Sequence, residues 1–356
     1  MRMDRNHLSP SDFIGVQGKG IISFGSGQPD LPPPELVYRI LPTYRDFRYG
    51  TVQGMPKLRE ALAREYPRSE AGNFVITNGA SEALDLALRA IGNKPGKKKS
   101  LLLPRPYYYS YPPLARYAGM KPVYTQLVNG RIDFDDFEEK AHQCRAMLIN
   151  SPSNPTGRVE AIPTLRKIEK IASDLGIYVI SDEVYKDLIY VRENYLIQGP
   201  HVVTINSFSK TYAMCGLRVG YLWSLDREMV NDIIGMKSHT SMNTNILGQE
   251  MAYEATKVPK SLVNSQIKIW RERRDIIYDG LSALGLELWK PEGAFYVLPK
   301  VRRPRDFVWN MYKKYKVITY LGEWFGAPER VRFSYALDKE KIEEGLKRVK
   351  KYLESG

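Results

Sequence analysis

The chain has 356 residues, of which 43% are apolar and 26% charged, a composition typical of a globular protein whose length exceeds that of one common hydrophobic core. It contains neither a twenty-residue apolar stretch nor a secretory signal, and it has only two cysteines, so we expect a cytoplasmic protein with no membrane span, disulfide framework or metal site. The formal charge is +13, but the basic residues are scattered and no nucleic-acid-binding motif contains them, which favours a solvated surface over nucleic acid binding.

Residues 1–45 are rich in glycine and proline, and this composition predicts an N-terminal arm with turns. Residues 46–255 alternate helical patterns with short, continuously apolar runs, which is typical of an α/β fold with a mostly parallel sheet. These runs are 101–103, 146–149, 177–180, 202–205 and 219–223. Residues 256–356 open with a long charged helix and then mix strands with a terminal helix, so they predict a smaller α+β domain.

Polar residues follow three successive apolar runs. Asn154 follows the second run, Asp182 and Tyr185 follow the third, and Ser207 and Lys210 follow the fourth. Ligands of open α/β sheets bind outside the carboxyl ends of the strands, so the five side chains are expected to share one crevice. Taken singly, each residue also has an ordinary structural explanation. Asn-Pro-Thr-Gly is a common turn, and an aspartate after a strand is often a helix cap.

Lys210 lies among hydroxyl-bearing and small residues directly after a buried strand. Burial lowers the pKa of a lysine, and a neutral amine can attack a carbonyl group to form a Schiff base. The position therefore predicts a nucleophilic lysine.

A phosphate site is predicted where residues 75–84 pass from a strand through a small-residue turn into a helix. Backbone amides at a helix N-terminus, together with the Ser81 hydroxyl, can hold a phosphate dianion. Ser207 and Arg218 would complete its surroundings. Alone, the same turn is an ordinary helix start. A tyrosine of the cluster 107–111 could stack on a planar ring in the crevice, although some of these tyrosines must belong to the core.

Taken in order, these motifs resemble those of the class I/II aminotransferases that use pyridoxal phosphate (PLP), the fold-type I superfamily of aspartate aminotransferase. The resemblance spans about residues 21–340. The motifs that carry it are 25–30, 49–50, 78–84, 154–157, 181–185, 207–220, 293–296 and 332–334.

The resemblance implies a large PLP-binding domain over 46–255, with a mostly parallel seven-stranded sheet between helices. It implies a small domain over 256–356, with 1–45 forming the arm and the start of the small domain. It also implies a homodimer with shared active sites, in which Tyr49 reaches the phosphate of the neighbouring subunit.

Catalytic roles follow from the resemblance for Lys210, Asp182 and Tyr185. Lys210 would form the Schiff base with PLP and move the substrate proton, and Asp182 would pair with the pyridinium nitrogen. Tyr185 would hydrogen-bond the phenolic oxygen of the cofactor, which the binding residue Asn154 would also contact.

Binding roles follow in the same way. Tyr108 would stack on the ring. Arg332 would bind the α-carboxylate of the substrate, and Asn154 and Gly27 of the arm would also contact the substrate. The phosphate cradle would consist of Gly79, Ala80, Ser81, Ser207 and Arg218.

The implied reaction is amino-group transfer from an L-amino acid to a 2-oxo acid, with 2-oxoglutarate expected as acceptor, by a ping-pong mechanism. Some aspartate-specific relatives have lysine at the position of Ser81, so that route to aspartate preference is absent and the donor side chain stays open. The alternatives are a PLP-dependent β-lyase, an amino-acid-phosphate decarboxylase, and a PLP-binding transcription regulator, for which we see no room before Gly25.

Overall fold

The computed structural model describes residue 5 and residues 8–16, 18–191 and 194–355. Its helices are α1 Pro56–Ala63, α2 Gly79–Asn93, α3 Tyr111–Tyr117, α4 Phe134–Ala141, α5 Ile162–Leu175, α6 Arg227–Ser238, α7 Ile246–Ala255, α8 Lys260–Ala283, α9 Pro304–Lys313 and α10 Lys339–Glu354. Its strands are β1 Ile22–Ser23, β2 Phe74–Thr77, β3 Ser100–Arg105, β4 Lys121–Val128, β5 Arg131–Ile132, β6 Ala146–Asn150, β7 Tyr178–Asp182, β8 Val202–Ser207, β9 Gly220–Ser224, β10 Tyr296–Val297, β11 Val317–Ile318, β12 Tyr320–Leu321 and β13 Val331–Ser334.

Within these ranges the large sheet has eight strands in the order β2-β9-β8-β7-β6-β3-β4-β5. Strands β4, β3, β6, β7 and β8 run parallel, whereas β9 is antiparallel to both of its neighbours. The carboxyl ends of β6, β7 and β8 therefore meet at one edge. Because β9 runs the other way, its first residue also lies there, with Gly220 paired to Ser207.

Continuous apolar runs form the strands because both faces of this sheet are covered. Leu101 and Leu103 pack with α2 and α6 on one face, while Leu102, which alternates with them, packs with α4 and α5 on the other. Successive side chains of a strand point to opposite faces, so a strand buried on both sides needs apolar residues at every position.

The small lobe combines α8, α9 and α10 with the antiparallel sheet β10-β13-β12. The arm joins it through β1, which pairs in parallel with β11. The Phe24 amide donates to the Ile318 carbonyl at 2.8 Å, and the Ser334 amide donates to the Phe24 carbonyl at 2.7 Å. The arm is therefore held by backbone hydrogen bonds on both sides just before it reaches Gly25.

The α/β fold expected from the sequence is confirmed. The described part of the large sheet has eight strands instead of seven, because the chain turns back after β4 and adds the two-residue strand β5 at the edge. The domain limits at 45 and 255 stay predictions. No described helix combines the length and the apolar character needed to cross a bilayer.

Candidate active site

The strand ends bring the predicted polar residues to one edge of the sheet. Asp182 ends β7, Ser207 ends β8, and Asn154 follows β6 by four residues. The register pairs Asn150 with Asp182, so the ends of β6 and β7 are level. Lys210 follows β8 by three residues. Parallel neighbours thus place these side chains around one cleft, as expected from the apolar runs.

The Lys210 amine lies inside this cleft. Its Nζ donates a hydrogen bond of 2.5 Å to the Gly27 carbonyl oxygen of the arm, and it lies 5.8 Å from the ring centroids of Tyr185 and Phe295. Burial lowers the pKa of Lys210, and the positive charges of Arg332 and Arg218 act in the same direction. The surroundings therefore favour the neutral, nucleophilic amine.

Asp182 is a buried carboxyl group that accepts hydrogen bonds from two neutral donors. Its Oδ2 accepts from the Tyr111 hydroxyl at 2.7 Å, and its Oδ1 accepts from the Val184 amide at 3.3 Å. Burial raises the pKa of Asp182 to about 6, although both hydrogen bonds and the positive charge of Lys210 oppose the shift. A carboxylate in this position would be stabilised by a cationic partner.

Arg332 is buried on β13 and faces the cleft. Its Nη1 donates to Asn154 Oδ1 at 2.9 Å and its Nη2 to the Gly25 carbonyl oxygen at 2.5 Å. The rings of Tyr296, Tyr320 and Phe325 lie within 4.9 Å of the guanidinium carbon. The buried Nε has no hydrogen-bond partner among the described residues. A charged donor left unpaired inside a protein is costly, so this N–H fits a missing anion.

The turn before α2 and the loop before β9 face each other. Gly79 has a positive φ of 75°, and a Cβ added there would overlap the guanidinium of Arg218. Arg218 is exposed and donates to the Cys215 carbonyl at 3.0 Å. The positive φ therefore favours glycine at 79, and the missing Cβ leaves room for the guanidinium of Arg218.

The other predicted phosphate ligands occupy the same region. Ser207 Oγ is buried and lies 2.8 Å from Ser209 Oγ. Ala80 is half-buried and Ser81 exposed in the first turn of α2, where backbone amides point out of the helix. The set combines free amides, hydroxyls and a guanidinium, which is the donor chemistry that a phosphate needs.

Two predicted tyrosines differ in their surroundings. Tyr108 is half-buried, with its ring centroid 5.5 Å from that of Tyr111, the donor to Asp182. Tyr49 is not part of this group, because its side chain is 84% exposed. Within the described ranges it has neither a hydrogen bond nor a ring contact to another residue of the chain.

Two contacts of the site do not follow from the sequence motifs. In the sequence, Tyr111 belongs to the aromatic cluster 107–111 and Tyr296 to the motif 293–296, without a role for either. Tyr111 bonds to Asp182, and the Tyr296 hydroxyl lies 2.7 Å from that of Tyr185. Both tyrosines lie in motifs of the predicted cleft. Since a buried tyrosine hydroxyl normally has a hydrogen-bond partner, this placement is the feature of the sequence that could have indicated the two contacts.

Three observations within the described ranges fit PLP: a buried carboxyl with no ion-pair partner, a buried guanidinium N–H with no acceptor, and a helix N-terminus opposed by an arginine. Asp182 would hold the ring nitrogen, and the α2 turn with Ser207 and Arg218 would hold the phosphate. Tyr185 and Asn154 lie where their side chains could bind other polar atoms of the cofactor.

Comparisons with known proteins agree with this chemistry. Residues 19–349 match the family model described as aminotransferase class I and II. A probable aspartate/prephenate aminotransferase of Aquifex aeolicus is 33% identical over 98% of this chain and 97% of its own length. The structure of Thermus thermophilus aspartate aminotransferase with maleate has a TM-score of 0.88 at 28% identity, covering 93% of this chain and 91% of its own.

The structure of an aromatic aminotransferase from Pyrococcus horikoshii has a TM-score of 0.88 at 29% identity, with 98% of this chain and 99% of its own covered. Similarity of this extent leaves no large part of the chain outside the common fold. The chain belongs to the class I and II aminotransferase family: it is a fold-type I, PLP-dependent enzyme that transfers amino groups.

Proposed function

We propose that this aminotransferase moves the amino group of an L-amino acid to 2-oxoglutarate in a ping-pong reaction, with Lys210 as the residue that binds PLP covalently. The observation that carries the proposal is the placement of Lys210. Its amine, with a lowered pKa, lies in the same cleft as the carboxyl group of Asp182 and the Arg332 Nε–H, which has no acceptor among the described residues.

PLP, when bound, supplies a ring that accepts the electron pair released when the Cα–H bond of an amino acid breaks. Lys210 Nζ would take up the proton released from Cα and deliver it to the cofactor, since its lowered pKa makes it a suitable base. Asp182 would keep the ring nitrogen protonated by offering it a buried negative charge. Tyr185 and Asn154 would hold the phenolic oxygen of the cofactor, and Tyr108 would pack against its ring.

Arg332 binds the α-carboxylate of the substrate. Carboxylate–guanidinium pairs are favourable when both partners are desolvated and two N–H groups converge on two oxygens. Asn154 already accepts from one nitrogen of the guanidinium, and the centroids of three aromatic rings lie within 4.9 Å of its carbon. The arm at Gly27 would form the adjacent wall of the substrate site.

The direct test is a half-reaction in each direction. An amino acid added to the PLP-loaded enzyme should convert the visible absorption band to that of the pyridoxamine form and release one 2-oxo acid per site. A second 2-oxo acid should then restore the band. The donor panel should include aspartate and aromatic amino acids, because the named relatives cover both classes. Release of ammonia or carbon dioxide in place of a new amino acid would contradict the proposal.

We also propose a cytoplasmic homodimer in which Tyr49 completes the phosphate site of the other subunit. Phe47 and Tyr49 are 82% and 84% exposed, which is unusual for two large aromatic side chains so close in sequence. A partner surface would cover them.

This sharing predicts complementation. Tyr49→Ala and Lys210→Ala homodimers should each be impaired, whereas mixed dimers should regain one intact site for every two chains. Activity after co-refolding of the two variants, with the dimer measured by light scattering, provides the readout. Mixtures that only average the two parental activities, or a monomeric wild-type enzyme, would count against shared sites.

A further inference from the structure

Tyr296 is a buried residue whose hydroxyl group lies at the centre of the cleft. It begins β10 of the small lobe, and its oxygen lies 2.7 Å from the hydroxyl oxygen of Tyr185, which follows β7 of the large sheet. Either hydroxyl can be the donor. The bond joins residues 111 positions apart in the chain and connects the small lobe to the predicted cofactor site.

The same hydroxyl also contacts the arm. A Cβ added to Gly27 would overlap the Tyr296 hydroxyl oxygen and would lie 3.3 Å from the Cζ atom of the ring. The φ of Gly27 is not in the positive range, so glycine is needed here for space and not for its backbone conformation. The carbonyl oxygen of this glycine accepts the hydrogen bond of Lys210.

A third contact involves the ring face. The guanidinium carbon of Arg332 lies 4.5 Å from the ring centroid of Tyr296, a distance at which a cation is attracted by the electrons of an aromatic ring. One side chain therefore touches the predicted ligand of the cofactor oxygen, the predicted carboxylate receptor and the arm.

We infer that Tyr296 is a positioning residue of the transfer reaction: its hydroxyl donates to Tyr185 and so directs the hydroxyl of Tyr185 to the cofactor, while its ring supports Arg332 and its oxygen sets the position of the arm at Gly27. This inference rests on the proposed function. It gives Tyr296 a role that does not follow from its presence in the motif 293–296.

The direction of the hydrogen bond follows from counting protons. Tyr185 has one hydroxyl hydrogen, and in the proposed function it points to the phenolic oxygen of the cofactor. The Tyr185 oxygen then acts as acceptor towards Tyr296, which has its own hydrogen to give. Burial raises the pKa of both hydroxyls, Tyr296 to about 12, so both keep their protons near neutral pH. A hydroxyl that accepts a hydrogen bond becomes a stronger donor in turn.

Tyr296→Phe removes the hydroxyl and keeps the ring. We expect the pH midpoint of the visible absorption band of the PLP-loaded enzyme to rise by about 0.5–1 unit, because a weaker donor stabilises the negative phenolic oxygen less. The KM of the amino donor should change less than twofold, since the ring still supports Arg332. The other groups whose charge acts on this hydroxyl pair, present in every variant, are Arg332, Asp182, Tyr108 and Cys215.

The matched control is a double-mutant cycle. In a Tyr185→Phe background, Tyr296→Phe should produce no further shift of the midpoint, because the acceptor that it acts through is gone. A midpoint unchanged in the single variant, or an equal shift in both backgrounds, would overturn the positioning role.

The contact with the arm has an independent test in the cofactor-free protein. Gly27→Ala should lower Tm by about 2–5 °C, because a methyl group is forced against the Tyr296 hydroxyl. Adding Tyr296→Phe should restore much of the loss, since the Cβ then meets only the ring carbon 3.3 Å away. Additive losses in the double variant would contradict the contact.

The two kinds of failure are distinguishable. A wild-type enzyme that forms no visible band with PLP would refute the proposed function, and the Tm cycle would still report on the arm contact. If the half-reaction is normal but the absorbance midpoint does not shift in Tyr296→Phe and the Tm losses are additive, only the role of Tyr296 is refuted.

Discussion

Replacing Lys210 by alanine is expected to lower amino-group transfer by about 10⁴-fold, because the variant loses both the group that binds PLP covalently and the base that moves the substrate proton. The lysine is held in the cleft by the Gly27 carbonyl, and its pKa is lowered by burial. The Arg332 guanidinium cannot replace it, because arginine stays protonated at all accessible pH values.

Single-turnover absorbance measurements give the rate, and borohydride treatment of the loaded enzyme followed by peptide mapping gives the site of attachment. Lys210→Arg introduces a group that stays protonated and should be equally inactive. Lys170→Ala removes an exposed lysine that pairs with Asp174 and should leave the rate unchanged. Substantial turnover by Lys210→Ala, or reductive labelling of another lysine, would remove Lys210 from its proposed role.

Replacing Asp182 by asparagine is expected to have opposite effects on catalysis and on stability. Transfer should fall by about 10²–10³-fold, because the protonated ring nitrogen loses its buried counter-charge. The cofactor-free protein should become more stable at pH 8 by up to about 3 kcal/mol, because the buried carboxylate is no longer ionised without a cation.

The pH window follows from the raised pKa of Asp182. The folded protein binds the proton more tightly than the unfolded chain, since burial moves the pKa from 3.8 to about 6. The stability contributed by the protonated carboxyl is fully present below pH 3.8 and is lost as pH rises to about 6. The stability difference between Asp182→Asn and wild type should therefore appear over this interval and stay constant above it.

Urea unfolding of both cofactor-free proteins between pH 4 and pH 8 measures this difference. Asp174→Asn, which removes an exposed carboxylate, should show no comparable change over the same interval. PLP should reduce or reverse the advantage of Asp182→Asn, because binding supplies the missing cation to the wild-type carboxylate. If Asp182→Asn were more stable than wild type by the same amount at every pH, ionisation of the carboxyl group would not be the source of the stability difference.

Local rules account for the parts of the fold and site that the sequence predicted. The apolar runs at 146–149, 177–180 and 202–205 form β6, β7 and β8, because a strand covered on both faces needs apolar side chains at every position. Parallel neighbours end at the same edge, so the residues that follow them come together without any knowledge of the distant contacts. The two-residue strand β5 escaped prediction because so short a segment has no periodicity.

Contacts between distant segments could not be predicted in the same way. The partner of the Lys210 amine is a backbone carbonyl 183 positions earlier, and a carbonyl leaves no mark on residue type. The bond between Tyr185 and Tyr296 depends on how the small lobe sits against the large sheet. Gly27 could be recognised only as part of a motif, because the atom that excludes a Cβ there belongs to Tyr296.

The pairing of the cleft cations with carbonyl oxygens has an electrostatic consequence. Arg218 and Arg332 donate to the carbonyls of Cys215 and Gly25, respectively. A carbonyl dipole satisfies a donor but does not cancel its charge, as a carboxylate would. The cleft thus keeps a positive potential extending into solvent, which attracts phosphate- and carboxylate-bearing molecules from a distance and speeds their encounter with the enzyme at low ionic strength.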